Sequence, residues 1–444
     1  MGYINGFRSI LGVVALSFAL AIGGAVVAPS QAVAAEDEKP KGPTRRVPTI
    51  SEQVFKKLAE AQEAVDAKDF ATGQNVLQSM LQRERRYNTN EIGQIHNMLG
   101  FVYFSKEDYA GAIRHYKEVY KVGEGVPEGL ETTTIYTLAQ LSFVIERYQD
   151  ALNYMEEWIT KANNPGYDPH IFMGQVYYQM KDYRNAVIQV EKGIEIAQAR
   201  NVPTKEQWWA LLNFLYFEQE NWSKVLSTLE ILVKRFPKRM YWMRLAGVHG
   251  QEGNENEQLW TMQAAYHAKM FEQSADYTNL AGLLMQAEVP YKASKIMKEG
   301  LDKKVIESNA KNLRSYGQAL QLAQETDTAI DVFENAAKLA DDGKIYERLS
   351  QLYLDADKYN ECVTAANNAL NKGGVRKTQT VYLVRGMCQN SLDQLPAARG
   401  SFVSCRNDAR REEDSTNQRI CQQWITFIDR ETARREALRR ANAQ

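Results

Sequence analysis

Little in this sequence offers chemistry. Four cysteines and five histidines are spread over 444 residues, and no C-x-x-C pair or Cys/His cluster has ligand spacing, so no metal site is expected. No phosphate loop, G-x-S-x-G elbow, H-E-x-x-H helix or dinucleotide fingerprint occurs. The nearest thing to a glycine-rich loop, Gly123-Glu124-Gly125, is followed by Pro127 and reads as a turn between helices. His96, His115, His170, His249 and His267 sit singly at helical positions that often carry aromatics, which makes them packing or surface residues. Paired acids such as Glu156-Glu157 and Asp341-Asp342 read as solvated. These absences argue against an enzyme and against any cofactor. A net charge of −1 leaves no basic field for nucleic acid. Beyond residue 35 no apolar run is long enough to span a bilayer.

What the chain has instead is a spacing. A small residue lies near the middle of one apolar-periodic helix and a second lies twelve positions later: Ala61/Gly73, Gly100/Ala112, Ala139/Ala151, Gly174/Ala186, Ala281/Ala293, Gly317/Ala329, Ser350/Cys362 and Gly386/Ala398. Asn213/Val225 and Ala246/Gln258 fill the same places less well. The first members are 33 to 39 residues apart. Small side chains let two antiparallel helices approach, and large ones fill the seams. A Leu or Met often precedes the first small residue (Leu99, Leu138, Met173, Leu212), an aromatic follows three later (Tyr103, Tyr177, Tyr216, Tyr353), and another opens the second helix (Tyr109, Tyr148, Tyr183, Trp222, Tyr359).

This pattern resembles the tetratricopeptide repeat, whose period is about 34 residues. The resemblance covers residues 51–408 and implies an all-α superhelical solenoid of about ten helix-turn-helix repeats, closed by a capping helix. A lone hairpin cannot bury its apolar stripe and must stack on neighbours, so departures matter. The hairpin of Ala246 and Gln258, with Gly250 and Gly253 nearby, is the most degenerate and is the expected bend.

The ends lie outside the repeats. Arg8, an apolar run from Ile10 to Val27, Pro29 and the Ala32-Val33-Ala34 triplet read as a signal peptide over 1–34, cleaved after Ala34, with an uncleaved anchor as the competing reading. No cysteine lies near the cut, which excludes a lipoprotein. Residues 35–50, with three prolines, read as a flexible leader. Residues 409–444 read as a capping helix carrying Ile420, Trp424, Ile425, Phe427 and Ile428, followed by an arginine-rich tail. After cleavage no stable membrane insertion is expected, and the chain is read as exported.

An exported chain with an even number of cysteines invites pairing. In a hairpin, residues equidistant from the turn lie at one level. Cys362 and Cys388 centre on the Gly373-Gly374-Val375 loop, and Cys405 and Cys421 on the Arg410 to Asp414 loop. The expected bridges are therefore Cys362 to Cys388 and Cys405 to Cys421; the alternative is four buried thiols packing as small hydrophobes.

In arrays of this family the first helices line a concave face, and the resemblance points the residues one and four places beyond the first small position into it. Those are Phe101 and Phe104, Gln140 and Phe143, Gln175 and Tyr178, Phe214 and Phe217; then Gly247 and Gly250, Gly282 and Met285, Gln318 and Gln321, Gln351 and Leu354. Phe101, Phe104, Phe143, Tyr178, Phe214 and Phe217 thus form an aromatic ladder suited to a peptide, with hairpin packing as the other reading. Five of seven tryptophans fall between Trp208 and Trp260, and adjacent Trp208 and Trp209 cannot both face inward, so one is expected to be exposed.

The opening PTISEQVFKKLAEAQEAVDAKDFATG and the stretch from Leu283 to Gly374 (LLMQAEVPYKASKIMKEGL, AAKLADDGKIYERLSQLYLDADKYNECVTAANNALNKGG) resemble exported tetratricopeptide proteins of Gram-negative bacteria encoded with TonB, ExbB and ExbD. That likeness implies a periplasmic protein-binding accessory of TonB-dependent outer-membrane transport, with TonB, ExbB, ExbD or a receptor as partner. The alternative is a scaffold for peptidoglycan or outer-membrane protein assembly.

Overall fold

The computed structural model describes residues 45–442 except Asn163. The expected signal segment and leader residues 35–44 lie outside the described residues. Among those described there is no strand, and no helix is long and apolar enough to cross a membrane.

The chain divides at Pro237 into two compact units. The first holds five hairpins: α1 Glu52–Asp66 with α2 Phe70–Leu81, α3 Thr89–Ser105 with α4 Tyr109–Val122, α5 Glu128–Val144 with α6 Tyr148–Lys161, α7 Asp168–Gln179 with α8 Tyr183–Ala199, and α9 Glu206–Glu218 with α10 Trp222–Arg235. The second holds five more: α11 Arg239–Gln251 with α12 Glu255–His267, α13 Ser274–Gln286 with α14 Pro290–Asp302, α15 Ala310–Leu322 with α16 Thr326–Leu339, α17 Lys344–Asp355 with α18 Tyr359–Lys372, and α19 Thr378–Ser391 with α20 Leu395–Arg411. The helix α21 Ser415–Asn442 comes last.

All ten hairpins share one turn. The residue seven places beyond the first small position has positive φ: Lys68, Glu107, Glu146, Lys181, Glu220, Gly253, Glu288, Gln324, Asp357 and Asp393. The next residue's N–H reaches back to a carbonyl five positions earlier, as in Asp108 to Tyr103 (3.0 Å) and Lys358 to Tyr353 (2.8 Å). This is the Schellman closure, which satisfies a carbonyl the helix end leaves bare. In four of the first unit's five hairpins the same residue then caps the second helix: Asp69, Asp108, Asp182 and Asn221 accept from backbone N–H groups three residues on.

Packing inside a hairpin follows a complementarity the sequence displays. A Cβ added to Gly100 would sit 2.8 Å from the Tyr116 ring, and one on Gly386 2.6 Å from the Phe402 ring. Each ring stands four beyond the second small residue. Where the first small residue is Ala61, Ala139, Ala246 or Ala281, the facing position holds Leu77, Met155, Met262 or Met297. We expect Gly386→Ala to cost about 1 to 3 kcal/mol in urea unfolding, because a buried ring cannot retreat. Adding Phe402→Met should restore most of it; no loss in the single variant would refute the complementarity.

The two weak pairs are compensated. Asn213 is buried and its amide donates to Val225 O (2.9 Å) and Thr228 Oγ1 (2.7 Å). Gln258 fills the space over Gly250, where a Cβ would come within 2.5 Å of its amide. The boundary between the two compact units falls at Pro237, just before the hairpin of Ala246 and Gln258.

Neighbouring hairpins are tied by tyrosines. Tyr103 accepts from Gln74 (3.0 Å), Tyr216 donates to Glu191, and Tyr353 to Glu334, always from a first helix to the preceding second helix. Tyr120 donates to Glu157 (2.9 Å) and Tyr266 to Glu299, between successive second helices. The hydrogen bond to Glu157, then burial, pushes the Tyr120 phenol up to about 12.

The leader was expected to be flexible through residue 50, but residues 45–50 are strapped to the first unit. Arg45 pairs with buried Glu131 (2.5 Å), which also holds Lys161 (2.7 Å). Asn90 donates to Pro48 O (2.8 Å), Asn88 to Thr49 O (2.9 Å), and Ser51 N–H to Glu91 (2.8 Å). The prolines leave carbonyls that these side chains use.

At the other end Cys362 is bonded to Cys388, joining α18 to α19, and Cys405 to Cys421, joining α20 to α21, with Cα separations of 6.3 and 6.1 Å. Cys421, Ile425 and Ile428 of α21 are buried, and Trp424 stacks on Phe402 (5.1 Å).

Candidate functional site

The six ladder rings occupy first helices α3, α5, α7 and α9, and all are half-buried. Each ring four beyond the small residue meets the aromatic that opens its own second helix: Phe104 with Tyr109 (5.9 Å), Phe143 with Tyr148 (5.8 Å), Tyr178 with Tyr183 (6.3 Å) and Phe217 with Trp222 (5.4 Å). Five residues apart across a tight turn, the two rings close the hairpin end. Contacts also run between hairpins, edge to face, from Phe143 to Phe172 (5.6 Å) and from Tyr178 to Phe214 (5.5 Å). Of the six, the structure brings Tyr178 and Phe214 directly together; Phe143 meets the buried Phe172 of the next hairpin, and Phe101 packs on the core of the first hairpin. The ladder is thus a series of half-buried rings on α5, α7 and α9 that pack successive hairpins together.

Both Trp208 and Trp209 are buried, at 5% and 7% exposure, against the expectation that one would be exposed. Trp208 meets Tyr167 of the preceding hairpin (5.1 Å), while Trp209 donates to Thr204 Oγ1 (2.9 Å). A helix flanked on two sides can bury adjacent residues in opposite directions. The exposed tryptophan is Trp260, at 60%.

In the second unit the small and glutamine residues at the ladder positions leave room, and the face of first helices carries two clefts that share Gln318. One, of about 590 Å³, lies over α13 and α15 with Thr278, Gly282, Met285 and Asn312. The other, of about 410 Å³, lies over α15, α17 and α19 and is lined by Arg314, Lys344, Arg348 and Glu347 among others. The Arg348 guanidinium lies over the Phe333 ring (5.5 Å) and donates Nε–H to Gln321 (2.7 Å). Burial, then the charge of Arg314, pushes its pKa below the ordinary arginine value. Lys344 is paired with Asp342 (2.7 Å). Glu347 is pushed up by burial despite a hydrogen bond from Thr380. This cationic cleft was missed in the sequence because only two ladder positions per repeat were read. Its signal was there: Arg314 and Arg348 stand three and two residues before the small positions of consecutive repeats.

The histidines do not all sit singly. His96 and His115 meet across the second hairpin, Nδ1 to Nδ1, at 3.0 Å. Among the described residues no group of three or more His, Cys, Asp or Glu could hold a metal ion.

Residues 167–200 match the tetratricopeptide repeat family model. Similar solved structures include a tetratricopeptide repeat protein from Parabacteroides merdae at 13% identity, covering 62% of this chain and all (100%) of that one with a TM-score of 0.36. The Cut9–Hcn1 hetero-tetramer is similar at 13% identity, over 85% of this chain and 96% of that one, TM-score 0.34. The MamA protein is similar at 16% identity, over 40% and 91%, TM-score 0.33. No curated protein matches the chain. The fourth hairpin, α7 with α8, is thus similar to a tetratricopeptide repeat, and the other nine hairpins repeat its turn.

Proposed function

We propose that this protein is a non-catalytic, protein-binding scaffold of the periplasm, an accessory of outer-membrane transport energised by TonB, ExbB and ExbD. Tetratricopeptide arrays are protein-interaction scaffolds, and the observation that carries the reading here is the series of half-buried rings Phe143, Tyr178, Phe214 and Phe217 on α5, α7 and α9. Rings half-buried in series along first helices offer a peptide both apolar area and edges. The cationic cleft of the second unit adds a place for acidic side chains. The periplasmic and TonB-linked part rests on the leader sequence and on the resemblance of the repeat sequences.

Titrating the mature protein against periplasmic fragments of TonB and ExbD and against a receptor plug tests this. Saturable binding to one is expected, weakened more than tenfold in Phe104→Ala/Phe143→Ala/Phe217→Ala while the helical circular dichroism persists. Because these rings also close hairpins, Arg314→Glu/Arg348→Glu supplies a second variant. Absence of binding to all three fragments, with normal growth of a deletion strain on iron complexes, would remove the TonB reading.

A further inference from the structure

Terminal repeats of a stacked array ordinarily turn a polar face outward, because no further repeat of the same chain covers them. Here the first and last described helices each expose a phenylalanine, Phe55 on α1 at 53% and Phe427 on α21 at 50%. Around Phe55, steps of three and four residues place Glu52, Ala59, Glu63 and Asp66 on one stripe. Around Phe427 the same steps place Arg419, Gln423, Arg430 and Arg434. The buried side of α1 is Val54, Leu58, Ala61 and Val65, and that of α21 is Cys421, Ile425 and Ile428, so both stripes point away from the core. Their charges are opposite: α1 holds four acids against two lysines, and α21 six arginines against three acids. Glu63, Arg419 and Arg430 form no ion pair with a described residue, and Glu52 is held only by exposed Lys56 of its own helix (2.7 Å).

We propose that α1 of one copy docks antiparallel on α21 of a second copy, joining chains head to tail. With Phe55 laid across Phe427, an antiparallel register brings Glu52, three residues before its ring, opposite Arg430, three after the other. Glu63, eight after, then falls opposite Arg419, eight before, and the small Ala59 opposite Gln423. Opposite charges thus flank an aromatic centre on both sides. A parallel register instead sets Glu52 against half-buried Trp424, Ala59 against Glu431, and Glu63 against an Arg435 already paired with Glu431 and Asp393. The antiparallel direction is therefore the complementary one. Because the two copies use different faces, each joined copy keeps one face free, and association continues with concentration unless a ring closes. Neither helix carries a ladder ring or lines the cationic cleft, so this contact and the binding of another protein stand or fall separately.

Light scattering on the mature protein over a wide concentration range tests the contact. The expected result is a mass above the monomer that rises with concentration and falls back in high salt, as exposed charge pairs are screened. Glu52→Arg/Glu63→Arg and Arg419→Glu/Arg430→Glu should each weaken association at least tenfold. All four side chains are exposed, so the helical circular dichroism should not change. Mixing the two variants, or combining the four substitutions in one chain, should restore association, which a merely damaged fold would not do. A monomer at every concentration, association indifferent to the substitutions, or no recovery on mixing would overturn the proposal.

Discussion

Replacing Cys362 and Cys388 together by alanine is expected to destabilise the second unit by roughly 3.5 kcal/mol, and replacing Cys405 and Cys421 by roughly 3 kcal/mol, from the loop entropy each bridge removes from the unfolded chain. The loops closed span 26 and 16 residues. In an array whose repeats touch only their neighbours, such losses stay local. They should appear as faster hydrogen exchange in α19, α20 and α21 and as an earlier urea transition in Trp424 fluorescence, with exchange in α1 to α4 unchanged. Reduction of the native protein should give the same shift as the variants. A transition midpoint indifferent to both would mean the bridges contribute nothing to stability.

Arg239→Ala is the second large effect, expected to cost about 3 to 5 kcal/mol at pH 7 because it strands a buried charge. The Arg239 fork binds both oxygens of Asp276 (2.8 and 2.6 Å), joining α11 to α13, and the carboxylate, 2% exposed, also accepts the N–H groups of Glu272 and Gln273 at 2.9 Å. Burial alone would push Asp276 up, but the guanidinium and the two N–H bonds outweigh it and hold the carboxyl below its ordinary value. A depressed carboxylate contributes stability that is full above its unfolded pKa, near 4, and is lost as pH falls through the folded value. In Arg239→Ala the carboxyl should titrate higher and shed its charge sooner. The stability gap between native protein and variant should therefore narrow from pH 7 towards pH 4. A gap that widens on acidification, measured by urea unfolding across that range, would contradict the assignment.

The hairpins were legible in the sequence because close helix approach restricts residue type: only Gly, Ala, Ser or a compensated Asn fits where α3 meets α4 or α9 meets α10. The ladder positions were legible for the same reason, since they are counted from those residues. The shared left-handed turn was not, because Lys, Glu, Gln and Asp occupy nine of its ten copies and only Gly253 announces it. Trp208 and Trp209 misled because periodicity describes one helix with one buried side, whereas α9 is covered on two. The histidine pair needed a step across the turn. His96 and His115 are 19 residues apart and centred on the α3 to α4 turn, the same midpoint geometry that relates the paired cysteines. The leader was misread because proline content describes the free chain and says nothing of Asn88, Asn90 and Glu131 waiting to receive it.

The identical turns bear on how this chain can change length. Every hairpin ends in the same backbone conformation at the same distance from its small residue. Joining Glu288 directly to Glu325 therefore removes α14 and α15, one full repeat, and leaves α16 in the phase that α14 had. Duplication or deletion by such units is thereby open to the first eight hairpins. Beyond α17 it is closed, because a cut there would separate cysteines that must find each other. The array is therefore a protein with an editable front and a locked end.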